Sequence, residues 1–264
     1  MSMTIEPATT VALTDTVQSF ATNGFAVAED LLEPEELDEL RAAYDDLLSG
    51  AAGDDSLDRS LGGLTRQIMQ PQLSNPLFSD HPVIDRARAI ASHLVGIDNP
   101  PMLYAMLIYK PPLHPHETPW HQDMAYAGRP FTPAGAQLPN DAIAQFWLAL
   151  DDVDRDMGCM EFIPGVQDQP MPEHFVSSGD PDDEGRLLAI VNPDRDLDLK
   201  SAVPCPLRAG SATVHGYATP HYTGPNRSDT RGRRAFIFSF ASPTVLEELA
   251  SERGDWPRHQ DQEQ

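Results

Sequence analysis

The chain has 264 residues, of which 40% are hydrophobic and 22% charged, with 18 lysines and arginines against 41 aspartates and glutamates, for a net charge of −23. That length fits one large domain or two small ones, and the composition is that of a globular chain and not a disordered one. The acidity argues against nucleic acid or an anionic membrane surface as a partner, since both would repel the chain unless a basic patch were concentrated somewhere. The one basic cluster, Arg227, Arg231, Arg233 and Arg234, is short, and Lys110 and Lys200 are the only lysines.

No apolar run approaches the ~20 residues a membrane helix needs. The first residues, MSMTIEPATTVALTD, lack the basic start and apolar stretch of a secretory signal. Cys159 and Cys205 are too few for a disulfide framework, so a reducing cytoplasm is the expected location.

In chain order, helical signals come first. Thr14 can cap a turn carrying Val17, Phe20 and Ala21, with Gly24 as its stop. Pro34 to Leu48 opens with Pro and with Glu35 and Glu36 where the helix dipole favours them, and sets Leu37, Leu40, Tyr44, Leu47 and Leu48 on one face. A third helix is expected from Pro82 to Leu94, with Val83, Ile84, Ala87, Ile90, Ala91 and Leu94 inward and Gly96 after it. Gly50 to Gly63 reads as an exposed polar loop.

From residue 102 the texture changes to short runs rich in branched and aromatic residues: MLYAMLIYK (102–110), AIAQFWLAL (142–150), MEFI (160–163), LLAIV (187–191), ATVHG (212–216) and AFIFSF (235–240). Short strands without helices between them indicate a sandwich, jelly roll or barrel, not a βαβ sheet. The interval 166–200, rich in Pro and Asp, has the length of a lid or binding segment, and the polar tail after Trp256 is expected to fray.

Nine histidines are scattered along the chain, and His114, His116 and His121 crowd into HPHETPWHQD. The sharpest feature is His121-Gln122-Asp123 following a strand. Residues i and i+2 of an extended segment share a side, so an imidazole and a carboxylate can address one ion. Completed by a second histidine from another strand, His215 or His221, this is the facial triad of non-haem Fe(II) oxygenases, which leaves positions open for co-substrate and O2. In VHGYATPHYTGPNRSDTRGRRAFIFSF (214–240), Arg233 opens an apolar strand after these histidines. A dicarboxylate that chelates iron at one end needs a cation at the other, and an arginine fork supplies it bidentately.

These segments resemble the phytanoyl-CoA dioxygenase (PhyH) family of Fe(II)- and 2-oxoglutarate-dependent oxygenases. The resemblance runs through Asn23-Gly24-Phe25, LLEPEELDELRAAYDDLL, MLIYKPP, WHQDMAY, the strand with Trp147, MGCMEFIPG and HYTGPNRSDTRGRRA. It implies a mainly β fold with flanking helices around a double-stranded β-helix (jelly roll, cupin-like) core. It also implies one domain over 1–264, with a helical part at about 14–96, the jelly roll at about 102–241 and a lid-like insertion at about 166–200.

The same resemblance makes His121, Asp123 and His221 the iron ligands, Arg233 the partner of the distal carboxylate of 2-oxoglutarate, and Thr223 a hydroxyl contact to it. Gln122 and Trp147 would line the pocket, and Arg66 or Gln67 would fall near a further co-substrate contact. The interval from His221 to Arg233 is one residue longer than the family's commonest form, which keeps Arg231 and Arg234 open as the binding arginine. Tyr222 stands where the family has a small Gly and is expected to reshape the cavity mouth. His114 and His116 are expected as loop residues at that mouth, Trp120 as packing or cavity lining, His215 as a core or supporting histidine, and Cys159 as core.

The implied activity is oxidation of an unactivated C–H bond by Fe(II), 2-oxoglutarate and O2, with release of succinate and CO2. Asp123 argues against halogenation, since related halogenases lack this carboxylate. A CoA thioester would bring phosphates that this acidic chain has few cations to meet, so a free small molecule, a biosynthetic intermediate, is the expected substrate. A cupin-like hydrolase or isomerase without 2-oxoglutarate is the alternative, and the Thr223/Arg233 pair argues against it.

Overall fold

The computed structural model describes residues 7–50, 58–61, 65–127, 140–179, 187–243 and 245. Seven strands form a large sheet in the order β1 (Phe25–Ala28), β11 (Ala212–His215), β6 (Ile143–Ala149), β13 (Arg233–Ala241), β4 (Met102–Lys110), β3 (Thr65–Met69) and β2 (Asp58–Leu61). Four more form a small sheet in the order β10 (Val203–Cys205), β7 (Met160–Phe162), β12 (His221–Thr223) and β5 (Thr118–His121), and β8 (His174–Val176) pairs with β9 (Leu188–Ile190).

Period-two alternation sorts the large sheet into two faces. Phe236, Phe238 and Phe240 of β13 join Ala105 and Leu107 of β4, Phe146 and Leu148 of β6 and Val214 of β11 in one buried cluster. That cluster is closed by α1 (Pro7–Asn23), α2 (Pro34–Leu48), α3 (Leu77–Asp80) and α4 (Pro82–Val95) through Phe20, Leu40, Tyr44, Phe78, Val83, Ile84, Ala87, Ala91 and Leu94. The intervening residues, Ala235, Ile237, Met106, Ile108, Trp147 and Ala149, face Met160, Phe162 and Cys205 of the small sheet. Phe25 and Phe162 stack across the gap with centroids 4.3 Å apart. Two antiparallel sheets closed face to face in this way are a double-stranded β-helix, a jelly roll with helices on one outer side. Full burial of each large apolar side chain contributes about 1.5–3 kcal/mol, and a one-residue slip of any central strand would exchange the two faces. Register is therefore strongly determined, and with it which side chains enter the interior.

The elements differ from the sequence expectations in several places. α1 starts at Pro7, so Thr14 lies inside it and not at its cap; a proline ring suits a first helical turn, and nothing breaks the helix before Gly24, whose φ is +85°. The expected loop at 50–63 contains β2, which pairs with β3 at the sheet edge; its sequence DRSL lacks any apolar alternation, and only backbone pairing makes it a strand. The rest of that loop, 51–57 and 62–63, and the tail after Trp256 lie outside the described residues. β1, β3, β8 and β10 were also not evident, being three to five residues long. In the interval 166–200 the apolar run LLAIV supplies β9, as expected, and β8 pairs with it; residues 180–186 lie outside the described residues.

One close approach fixes the interior end of the small sheet. Gly158, with φ +74°, lies against the Gly224 backbone so closely that an added Cβ would overlap the Gly224 carbonyl. Gly158→Ala should therefore destabilise the fold by about 2 kcal/mol, several degrees in Tm for a chain of this size. Gly96→Ala, at a similar φ of +69° but with nothing within 4 Å, should cost less; equal losses in thermal melts of the two variants would contradict the contact.

Candidate active site

β5 and β12 pair antiparallel with His121 and His221 as Cα partners, so two residues a hundred positions apart lie side by side. Their rings are 4.1 Å apart between centroids. Asp123 follows β5 just before α5 (Met124–Ala127) and points back at both, with His121 Nε2 3.7 Å from Oδ1 and His221 Nε2 3.7 Å from Oδ2. The three ligating atoms lie within 4.8 Å of one another.

The backbone fixes the tautomers. His121 Nδ1 sits 2.7 Å from the Pro119 carbonyl and His221 Nδ1 3.0 Å from the Thr219 carbonyl. A carbonyl can only accept, so each Nδ1 carries the proton and each Nε2 offers a lone pair toward Asp123. Burial pushes both imidazoles below their usual range, His221 the further. Burial works the other way on Asp123, yet the surrounding imidazoles, His221 foremost, hold its carboxyl below the usual carboxylate range. Two neutral nitrogens and an anionic oxygen separated by gaps too long for hydrogen bonds make a donor set that suits a divalent first-row metal.

Asp123 has two supports: His215, expected as a core or supporting histidine, and Gln145, which the sequence does not single out. Gln145 donates to Oδ2 at 2.6 Å, and His215 Nε2 lies 3.3 Å from the same oxygen. Gln145 and His215 are Cα partners on β6 and β11, so they share the interior face. Strand alternation could have put Gln145 there beside Trp147; what it could not give is the register against β11. Gln122, between the two donors, turns its side chain to the Ala218 carbonyl at 2.6 Å and ties down the turn from β11 to β12.

A second polar group lies deeper. Arg233 and Lys110 are Cα partners on β13 and β4, each about 1% exposed. The Arg233 guanidinium lies over the Trp147 ring, 5.3 Å from its centroid, and donates to the Gly158 carbonyl at 2.6 Å, while its Nε has no partner among the described residues. Burial pushes its pKa down to about 10. Lys110 donates to Thr223 Oγ1 at 3.2 Å and to the Gly224 carbonyl at 2.9 Å. Thr223 is two residues beyond His221 on β12, which connects this cationic end to the triad.

The neighbouring arginines are differently engaged. Arg234, one residue on, faces outward and pairs with Asp151 at 2.7 Å and Asp45 at 3.0 Å; Arg231 is half exposed near Asp154. Arg66 donates to the Leu48 carbonyl at the end of α2, away from the interior, whereas Gln67 donates to the Met106 sulfur at 2.8 Å on the interior face.

The mouth also differs from expectation. His114 is buried, hydrogen-bonded to Thr65 and bridged to Asn226, so it is a packing residue and not a loop residue at the mouth; His116 alone is exposed. Trp120 and Tyr222 each alternate with a triad histidine and so occupy the outer face of the small sheet, stacked 5.4 Å apart. There Trp120 packs with Ile163, Ile190 and Leu197, and the Tyr222 hydroxyl donates to Glu117 at 2.8 Å. Tyr222 therefore points away from the triad and does not line the interior. Val166, Ile190, Leu197 and Leu199 of the interval 166–200 pack on this outer face, and its His174 reaches the site, its Nε2 accepting from the Gln122 backbone at 3.1 Å; burial pushes the His174 pKa down to about 4. Cys159 is core, as expected.

Among the described residues no helix is long and apolar enough to cross a membrane. Comparison with known proteins adds to this geometry. The phytanoyl-CoA dioxygenase (PhyH) family profile matches residues 20–235. Phytanoyl-CoA dioxygenase domain-containing protein 1 of Danio rerio is 30% identical over 141 residues, 53% of this chain and 44% of that protein; the chain spans about half the length of the curated relatives it matches. The crystal structure of EvdO2 from Micromonospora carbonacea var. aurantiaca complexed with 2-oxoglutarate is similar over 92% of this chain and 93% of that one, with a TM-score of 0.69 and 30% identity. The epimerase SnoN from nogalamycin biosynthesis shares the fold, with a TM-score of 0.64 and 23% identity over 94% of this chain and 90% of that one. Matched by the family profile over the greater part of its length, this chain belongs to the phytanoyl-CoA dioxygenase family.

Proposed function

We propose that the chain is an Fe(II)- and 2-oxoglutarate-dependent oxygenase that oxidises a C–H bond of a free small molecule, a biosynthetic intermediate. His121, Asp123 and His221 hold the metal, and Arg233 with Thr223 receives the distal carboxylate of 2-oxoglutarate. The observation that carries this reading is the pairing, in one interior, of a metal donor set with a buried arginine that has no anionic partner among the described residues. A molecule that chelates at one end and carries a carboxylate at the other satisfies both. The likeness to EvdO2, whose structure holds 2-oxoglutarate, supports the same reading.

When bound, Fe(II) supplies the oxidative chemistry: O2 is activated as 2-oxoglutarate is decarboxylated to succinate and CO2, and a substrate C–H bond is oxidised. The protein's own residues orient and exclude. The Pro119 and Thr219 carbonyls hold the imidazole rings with Nε2 inward. Gln145 and His215 hold Asp123 Oδ2, so the carboxylate is kept at one angle. Arg233, stacked on Trp147, presents a fixed fork to the co-substrate, and the apolar interior around it keeps water out. Asp123 occupies the position that a halide would need, which favours oxidation over halogenation. Several of the cations are interior, like Arg233, or ion-paired, like Arg234 and Arg86, and an acidic chain that commits them in this way has fewer for the phosphates of a CoA thioester. A hydrolase or isomerase without 2-oxoglutarate would have no use for the Arg233 end.

Two experiments test this. Asp123→Ala should lower succinate release from 2-oxoglutarate at least about 100-fold, and removing metal with a chelator should abolish it reversibly; undiminished release in either case would overturn the metal assignment. Arg233→Met should raise the KM for 2-oxoglutarate about 10-fold or more, the worth of a charge-assisted contact. Arg234→Met should leave that KM unchanged and lower Tm instead; the reverse result would move the anchor to Arg234.

A further inference from the structure

We propose that Lys110 is a second anchor for 2-oxoglutarate, so that the distal carboxylate is received by two cations and not by Arg233 alone. This rests on the oxygenase reading above. Opposed residues of an antiparallel pair project to the same face with Cβ atoms about 4.5–5.5 Å apart, and Lys110 and Arg233 are such a pair, both about 1% exposed. Like charges directly opposite each other on a sheet are destabilising, and a buried ion without a counter-ion costs several kcal/mol. The fold nevertheless sets the two side by side in its apolar interior.

Neither forms an ion pair with a described carboxylate. Lys110 meets only the neutral oxygens of Thr223 and Gly224, and Arg233 the Gly158 carbonyl. The carboxylate whose field reaches Lys110 belongs to Glu117, an exposed side chain already bonded to Tyr222. Two buried basic groups on one interior face call for an anion entering from the triad side, and a carboxylate has enough lone pairs to accept from both. The hydrogen bonding is arranged for it. Because Lys110 donates to Thr223 Oγ1, the hydroxyl's own proton is left to donate to the incoming oxygen, and one of the three ammonium protons remains for the same oxygen pair.

A purely structural lysine, there to tie Thr223 and Gly224 together, would present the same contacts, so the test separates charge from donation. Lys110→Gln keeps an N–H donor for those two oxygens and removes the charge; Lys110→Met removes both. The full chain is loaded with Mn(II) in place of Fe(II), and binding is measured by calorimetry for 2-oxoglutarate and for 2-oxovalerate, which has the same chelating end and no distal carboxylate. Both variants should bind 2-oxoglutarate about 10- to 100-fold more weakly than the wild type, with 2-oxovalerate affinity and Mn(II) affinity unchanged. Equal losses for both oxoacids, or no loss for 2-oxoglutarate in Lys110→Gln, would overturn the assignment and leave the oxygenase reading intact. A wild-type protein that binds Mn(II) but does not prefer 2-oxoglutarate to 2-oxovalerate would instead overturn that reading itself. Should Lys110→Met fail to fold, Lys110→Gln alone decides.

Discussion

The antiparallel pairing of β5 with β12 sets His121 opposite His221, and the rest of the site is arranged around that pair. Backbone carbonyls two residues before each histidine turn its Nε2 inward, and Asp123 closes the set two residues beyond the strand. A metal held by these three residues would keep coordination positions for a co-substrate and O2. The same strand then carries Thr223 to the cationic end, so β12 links the two halves of the pocket.

Charge is distributed against the chain's overall character. A protein with a net charge of −23 keeps a guanidinium and an ammonium in its apolar interior. Arginines such as Arg234, Arg86 and Arg155 sit in ion pairs with acidic neighbours, while Arg233 and Lys110 have no ion-pair partner among the described residues. Alternation explains how adjacent arginines come to differ so sharply: Arg233 and Arg234 point to opposite faces of one strand, one into the barrel and one beneath α2.

Much of this was legible in the sequence. Long periodic segments such as Pro34–Leu48 and Met102–Lys110 came out with their bounds intact, because burial of one face demands the pattern. His121, Asp123 and His221 could be named because local spacing and a family resemblance agreed on them. Other features depend on strand register, which a sequence does not display. Lys110 read as one of two lysines with no role until β4 was placed against β13, and Gln145 and His215 took their places on Asp123 only through the pairing of β6 with β11. The same alternation decides Tyr222, expected toward the cavity, and Trp120, expected as packing or lining and found packing. Each follows or precedes a triad histidine by one residue, and period two sends it to the far side of the sheet. Edge strands such as β2 stayed hidden because hydrogen bonding and not side-chain pattern makes them strands.

The most direct test of the central claim is an anaerobic titration of the full chain with Fe(II) and then 2-oxoglutarate, followed in the visible region for the metal-to-ligand charge-transfer band of a chelated 2-oxoacid. The expected result is a band that appears only when both are present and saturates at one iron and one 2-oxoglutarate per chain. Iron binding with no such band at saturating 2-oxoglutarate, or an unchanged band in a chain whose His221 has been replaced by alanine, would contradict it.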